Sequence, residues 1–293
     1  MRLNGRRTSD NVDDRRSGSS SSAKAGMGIG GLVLIAVFTY FTSGGDMGQV
    51  FNAVLQNSQN VQIQSSNPDY TPSAEEDSLA LFASQIVAST EDIWTAEFQK
   101  IGRTYTKPKL VLYTGTIKTG CGNGTAQMGP FYCSADQCVY LDLSFLSEMR
   151  SQLGAQGGDF ANAYVIAHEV GHHVQNLLGT LDKEHAIMSR QSESESNKTS
   201  VRIELQADFY AGVWGHQENA SFKSLDADDM AEAIDLAQKI GDDYLQKQAG
   251  YKEAVPDAFT HGTAAQRKRW LQKGLQSGDI NQGDTYSIDY SNL

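Results

Sequence analysis

The stretch Ala167-His168-Glu169-Val170-Gly171-His172-His173 constrains the chain more than any other. His168 and His172 are four residues apart, so on a helix they project from one face, one turn above the other. Two imidazoles at that spacing can reach one metal ion at roughly 2 Å each. Glu169, beside the first histidine, can reach a water at the same ion. This is the H-E-x-x-H arrangement of zinc-dependent hydrolysis, and it requires a helix, a third ligand and a cleft.

The neighbouring sequence supplies the helix. Asp159 after Gly157-Gly158 is a plausible N-cap and Gly179 a plausible stop. Between them Ala163, Ile166, Ala167, Val170, Val174 and Leu177 fall at helical spacing. His173 lies off the ligand face and reads as a core or supporting histidine. Residues 181–198 are polar and read as a loop or solvated helix end, a candidate cover over the site. A second helix is expected from Thr199 to about His216, with Val201, Leu205, Phe209 and Val213 on its apolar side. Glu204 and Asp208 lie four apart on it, and an acidic pair on an apolar helix is costly unless matched. A zinc site matches it, with Glu204 as the third ligand and Asp208 orienting a ligand histidine from behind.

The N-terminal quarter reads differently. Residues 1–25 are rich in Arg, Ser and Asp and offer little to bury, so a disordered leader is expected. Residues 26–43 are uncharged and apolar, long enough for one transmembrane helix. The basic excess precedes this segment, which places the leader in the cytoplasm and all that follows across the membrane. A cleaved signal peptide fits less well, because no A-x-A site follows the apolar run. Residues 44–73, rich in Gly, Gln, Asn and Ser, read as a linker.

From Glu76 an amphipathic helix should run through Leu79, Phe82, Ile86, Val87, Ile93, Trp94, Phe98 and Ile101. Two strands follow, at 109–114 and 139–144, and an exposed strand could hold an extended peptide by strand addition. Cys121, Cys133 and Cys138 lie close together between and beside these strands. In an oxidising compartment they point to one local disulfide with a thiol left over; a thiolate metal site is the alternative. Residues 226–248 are read as a further scaffold helix. His261 precedes a helix start marked by Thr263 and Gln266, a capping-box pair. From that loop it could hydrogen-bond the oxyanion formed when water attacks a carbonyl, with Tyr210 as a second candidate. The 24 basic and 35 acidic residues give a net charge of −11, with the basic excess confined to the first 25 residues. Nucleic acid is therefore not an expected partner.

His168-Glu-Val-Gly-His172 followed by Glu204-x-x-Ala-Asp208 resembles a gluzincin peptidase site. Together with Gly129-Pro-Phe-Tyr-Cys133, Tyr140-Leu-Asp-Leu-Ser-Phe145, Glu204 to Gly212 and Phe259-Thr-His-Gly262, it resembles the bacterial putative neutral zinc metallopeptidase family. The resemblance covers most of the chain. It implies one zinc ion held by His168, His172 and Glu204, with Glu169 catalytic. Cys138 departs from the family's usual pattern; the pairing stays open, with Cys121–Cys133 the expected disulfide. The resulting expectation is an α+β, zincin-like domain at 74–275, mainly helical with a small sheet, after one transmembrane helix and before a polar tail at 276–293. It would be a single-pass protein of the bacterial inner membrane, its site in the periplasm, hydrolysing peptides or proteins. Two alternatives stand beside it: a zinc-site binding or scaffold protein of the envelope, and an amidase of cell-wall peptides.

Overall fold

The computed structural model describes residues 1–16 and 71–293. They form two compact units, one of residues 8–84 and 108–154, the other of residues 1–7, 85–107 and 155–293. Helix α1 (Ala74–Lys100) contributes its first part to the former and its remainder to the latter.

The first unit is built on a four-stranded sheet in the order β1-β2-β6-β5. Strands β1 (Val12–Asp14), β2 (Lys109–Tyr113) and β6 (Cys138–Asp142) are parallel, and β5 (Phe131–Cys133) runs antiparallel to β6. Leu110 to Tyr113 and all five residues of β6 are buried, so both faces of these two central strands are covered. Between β2 and β5, a hairpin of β3 (Thr116–Thr119) and β4 (Gly122–Thr125) occupies the glycine-rich stretch. Cys121 in its turn is bonded to Cys133 on β5, while Cys138, the register partner of Cys133, is a buried free thiol. Asp142 ends β6 and caps helix α2 (Leu143–Leu153), accepting from Ser144 N at 3.0 Å and from Gly115 N at 2.8 Å.

The second unit is helical: α3 (Asp159–Leu178), α4 (Thr180–Met188), α5 (Glu193–Phe222), α6 (Ala227–Lys239), α7 (Asp242–Gln248) and α8 (Ala264–Ser277). Two close helix crossings organise it. A Cβ on Gly171 of α3 would lie 2.8 Å from the carbonyl oxygen of Ala207 on α5. Gly212 of α5 and Gly274 of α8 face each other so tightly that a Cβ on either would fall within 2.3 Å of the other helix's backbone. Residues without a Cβ at these points let three helix axes approach, which brings α3, α5 and α8 side chains to one place.

Several expectations require correction. The first sixteen residues are not a disordered leader. Val12 to Asp14 pair with Leu110 to Leu112, and Arg6 makes a bidentate ion pair with the fully buried Glu218 at 2.6 and 3.1 Å. Arg7 reaches Glu91 and Asp92, and Arg16 reaches Asp14 and Asp77. Its arginines find carboxylates within the fold, so charge and β-pairing order what apolar burial could not. The expected transmembrane segment at 26–43 and the linker up to 70 lie outside the described residues; among the described ones no helix is long and apolar enough to cross a membrane. A single crossing at 26–43 would put residues 1–16 and 71–293 on opposite sides. Their shared sheet and the Arg6–Glu218 pair exclude that arrangement.

Residues 181–198 are mostly helix rather than loop: α4 runs to Met188 and α5 begins at Glu193, capped by Ser192. The helix expected over 226–248 is two, broken at Gly241, where a Cβ would meet Ala264 N at 2.2 Å. The polar tail is part of the fold. Thr285 bonds Arg202 through both its carbonyl and its hydroxyl, Gly283 O accepts from Gln206 at 2.8 Å, and Leu293 is buried.

Candidate metal centre

Helix α3 presents His168, Glu169 and His172, and α5 presents Glu204 and Asp208, all in the helical unit. The Gly171–Ala207 crossing lies between these two sets, so it fixes how far apart they stand. His168 Nε2 is 3.1 Å from one Glu204 oxygen and His172 Nε2 is 3.4 Å from the other. Two ligands about 2.0–2.1 Å from one zinc in tetrahedral geometry are roughly 3.3 Å apart. Ligand atoms of all three side chains lie within 4.8 Å of one another.

The hydrogen-bond pattern decides which atoms are available. His168 Nδ1 faces Asp208 Oδ1 at 2.9 Å, and a carboxylate only accepts, so the ring's hydrogen sits on Nδ1. His172 Nδ1 is 2.9 Å from Gln175 Oε1. Gln175 uses its NH2 to donate to Ile203 O at 2.8 Å and Gln206 Oε1 at 3.0 Å, which fixes its oxygen toward the histidine. With both Nδ1 atoms committed, the Nε2 atoms are the ones left to face the Glu204 carboxylate, and in the neutral rings they carry the lone pairs a metal would take. Two ring nitrogens and a carboxylate converging on one point need either protons or a cation between them, and a zinc ion fits this donor set.

The electrostatics agree. Burial opposes charge on His168, but hydrogen bonds to Asp208 and Glu204 lift its pKa to about 10. Burial likewise pushes the Glu204 carboxyl up, and the charge and hydrogen bonds of the two histidines, with a further contribution from His261, bring it well below its usual range. Asp208, fully buried, is held at about 2 because Arg267 and His168 outweigh desolvation. Each group is thus held in the charged form by its partners, and a divalent cation would replace the ligand-facing protons. Glu169 is the exception. Burial raises its carboxyl above the ordinary value, the direction expected of a general base tuned toward neutral pH.

His261 lies in the loop before α8, where Asp242 clamps it. One Asp242 oxygen is 3.1 Å from His261 Nδ1, and the other accepts the backbone N–H groups of Thr260, His261 and Gly262 at 2.7, 2.7 and 3.0 Å. Gly262 adopts φ +90°, a conformation that closes this turn and favours glycine. The expected capping box of Thr263 and Gln266 is present and starts α8 immediately after. Tyr210, the other candidate donor, packs its ring edge-on against Trp94 and Phe209. His173 is a core residue: its Nε2 donates to Thr106 O at 2.6 Å, and burial depresses its pKa to about 4.

Sequence reasoning missed four contributors: Tyr164, Gln175, Asp242 and Arg267. Tyr164 and Gln175 had a signal, since they sit one turn before His168 and three residues after His172 on the same helix. Asp242 and Arg267 had none, because their partners lie on other elements.

The family model described as "Putative neutral zinc metallopeptidase" matches residues 1–286. The chain is 48% identical over 293 residues to the Escherichia coli K12 "Uncharacterized protein YpfJ", covering 98% of this chain and 99% of that one. It is 42% identical over 192 residues to the Mycobacterium tuberculosis H37Rv "Uncharacterized protein Rv2575", covering 62% of this chain and 64% of that one. No solved structure matches.

Proposed function

The chain belongs to the putative neutral zinc metallopeptidase family, and on that premise we propose that it hydrolyses peptide bonds at one zinc ion held by His168, His172 and Glu204. The observation that carries this reading is the pair of 3.1 and 3.4 Å approaches of the two Nε2 atoms to one carboxylate, with both Nδ1 atoms committed elsewhere. When bound, zinc supplies a Lewis acid that acidifies water and polarises a carbonyl. Glu169 accepts the proton of the attacking water and carries it to the departing amine, a role suited to its raised pKa. His261, oriented through Nδ1 by Asp242, stabilises the oxyanion as it forms.

The substrate class is a peptide or protein. Incubating the zinc-loaded chain with denatured casein beside peptidoglycan fragments tests this. Cleavage of casein supports it, cleavage of the fragments alone makes the chain an amidase, and cleavage of neither favours a zinc-site binding protein.

The Cys121–Cys133 disulfide supports an oxidising, extracytoplasmic location for the folded chain. Membrane association through residues 26–43 then has both flanks on one side. Accessibility of single cysteines introduced at the exposed Asp10 and Ala220 to an impermeant thiol reagent in intact cells tests that; labelling of only one of the two, or of neither, contradicts it.

A further inference from the structure

The carboxylate behind His168 is itself held by more groups than its role as a hydrogen-bond acceptor requires. Asp208 Oδ1 accepts from Tyr164 Oη at 2.5 Å, His168 Nδ1 at 2.9 Å and Arg267 Nη2 at 2.9 Å, and Oδ2 accepts from Arg267 Nε at 2.9 Å. A carboxylate has about four acceptor sites, so this one is saturated. Arg267 also reaches Tyr164 Oη at 3.3 Å, which closes a ring of hydrogen bonds among Tyr164, Asp208 and Arg267. Asp208 is fully buried and Arg267 is 3% exposed. Among the described residues no other carboxylate hydrogen-bonds this guanidinium, which also reaches Ile240 O at 3.4 Å.

The fold delivers the arginine with some care. Arg267 lies in the first turn of α8, just after the capping box, and the Gly212–Gly274 crossing presses α8 against α5, where Asp208 sits. An isolated Asp208 would have a choice of rotamers and one mobile tyrosine hydroxyl as company. A planar two-pronged donor permits one carboxylate plane only.

On the reading of the metal centre given above, we propose that Arg267 is a positioning residue for the metal. It locks the Asp208 carboxylate in the plane that keeps the hydrogen of His168 on Nδ1 and its Nε2 lone pair toward Glu204, with Tyr164 as the third arm of the lock. Groups that orient metal-ligating histidines contribute about 10- to 100-fold to metal affinity. The same short segment, residues 260–267, thus carries His261 for the oxyanion and Arg267 for the ligand behind the metal.

The test is a zinc-affinity cycle, read by competition with a chromophoric chelator, on wild type, Arg267→Met, Arg267→Lys, Asp208→Asn and the Arg267→Met/Asp208→Asn double variant. Far-ultraviolet circular dichroism and urea denaturation of the metal-free forms are measured in parallel. Arg267→Met is expected to weaken zinc about 10- to 100-fold. Arg267→Lys, which keeps the charge and loses the fork, should restore only part of that. The double variant should bind no more weakly than Asp208→Asn alone, because the arginine acts through the aspartate. Wild-type affinity in Arg267→Met or full affinity in Arg267→Lys overturns the proposal, as does a double variant in which the two losses multiply. If Arg267→Met does not fold, the Lys variant decides alone. Failure of the wild type to bind one zinc, or zinc binding unchanged by His168→Ala, would instead refute the reading of the centre itself.

Discussion

Gly171 lies between the two zinc-binding histidines and marks where α3 meets α5, so Gly171→Ala probes the geometry with one methyl group. Its Cβ would sit 2.8 Å from Ala207 O and 3.1 Å from Ala207 Cα, both backbone atoms inside a helix that cannot swing aside. Restoring ordinary contact separates the helices by about 0.5 Å, and overpacking of this kind costs about 1–3 kcal/mol. Alanine's better helix propensity returns up to about 1 kcal/mol. The metal-free protein should therefore lose only about 1 kcal/mol in urea denaturation. Zinc is less forgiving, since metal sites tolerate distance errors of roughly 0.2 Å. The displacement acts directly on the 3.1 and 3.4 Å separations between the histidines and Glu204. Zinc affinity should fall by about tenfold or more. Gly179→Ala is the control. It adopts φ +81° at the end of α3 with no atom within 4 Å of its Cβ, so it should cost about 1 kcal/mol through backbone strain and leave zinc affinity unchanged. Equal zinc affinity in Gly171→Ala and wild type would refute the claim that this crossing sets the site.

Arg6→Ala leaves the buried Glu218 carboxylate, among the described residues, with Ser89 and Ser224 as its donors, and should destabilise the protein by about 3 kcal/mol; unchanged urea stability would mean the N-terminal residues are not docked. His173 is held at about 4 against an ordinary 6.5, so the unfolded chain binds its proton first as pH falls. Stability from this residue is complete above about pH 6.5 and is lost toward pH 4, about 2 kcal/mol between pH 7 and pH 5. That part of the pH dependence should vanish in His173→Gln; an identical profile would contradict it. Asp242→Ala releases three backbone N–H groups and His261 together, so kcat on a peptide substrate should drop at least about tenfold while zinc stoichiometry holds. A loss of zinc instead would place Asp242 in the metal's support.

The metal centre was legible because its ligands lie on two helices with strong apolar stripes, at four-residue spacings that place the pairs on one face. The strands at 109–113 and 138–142 were also legible, the first from Pro108 and Gly115 at its bounds and the second from the alternation of Val139 and Leu141 with Tyr140 and Asp142. What escaped shares one cause. Val12 to Asp14 form a strand only because β2 is there, roughly a hundred residues away, and the arginines around it look like solvated charge until Glu218, Glu91 and Asp77 are placed beside them. Asp242 and Arg267 likewise acquire meaning only from tertiary neighbours. The break at Gly241 and the order in the C-terminal residues follow from backbone contacts to Ala264, Arg202 and Gln206, which leave no periodic signature.

The most direct test of the central claim compares zinc-loaded wild type with Glu169→Gln on denatured casein, with zinc content measured on the same samples. Glu169 is not a ligand in this account, so both should carry one zinc per chain, and only the wild type should cleave. Cleavage at the wild-type rate by the variant, or a wild type that neither holds zinc nor cleaves, would contradict it.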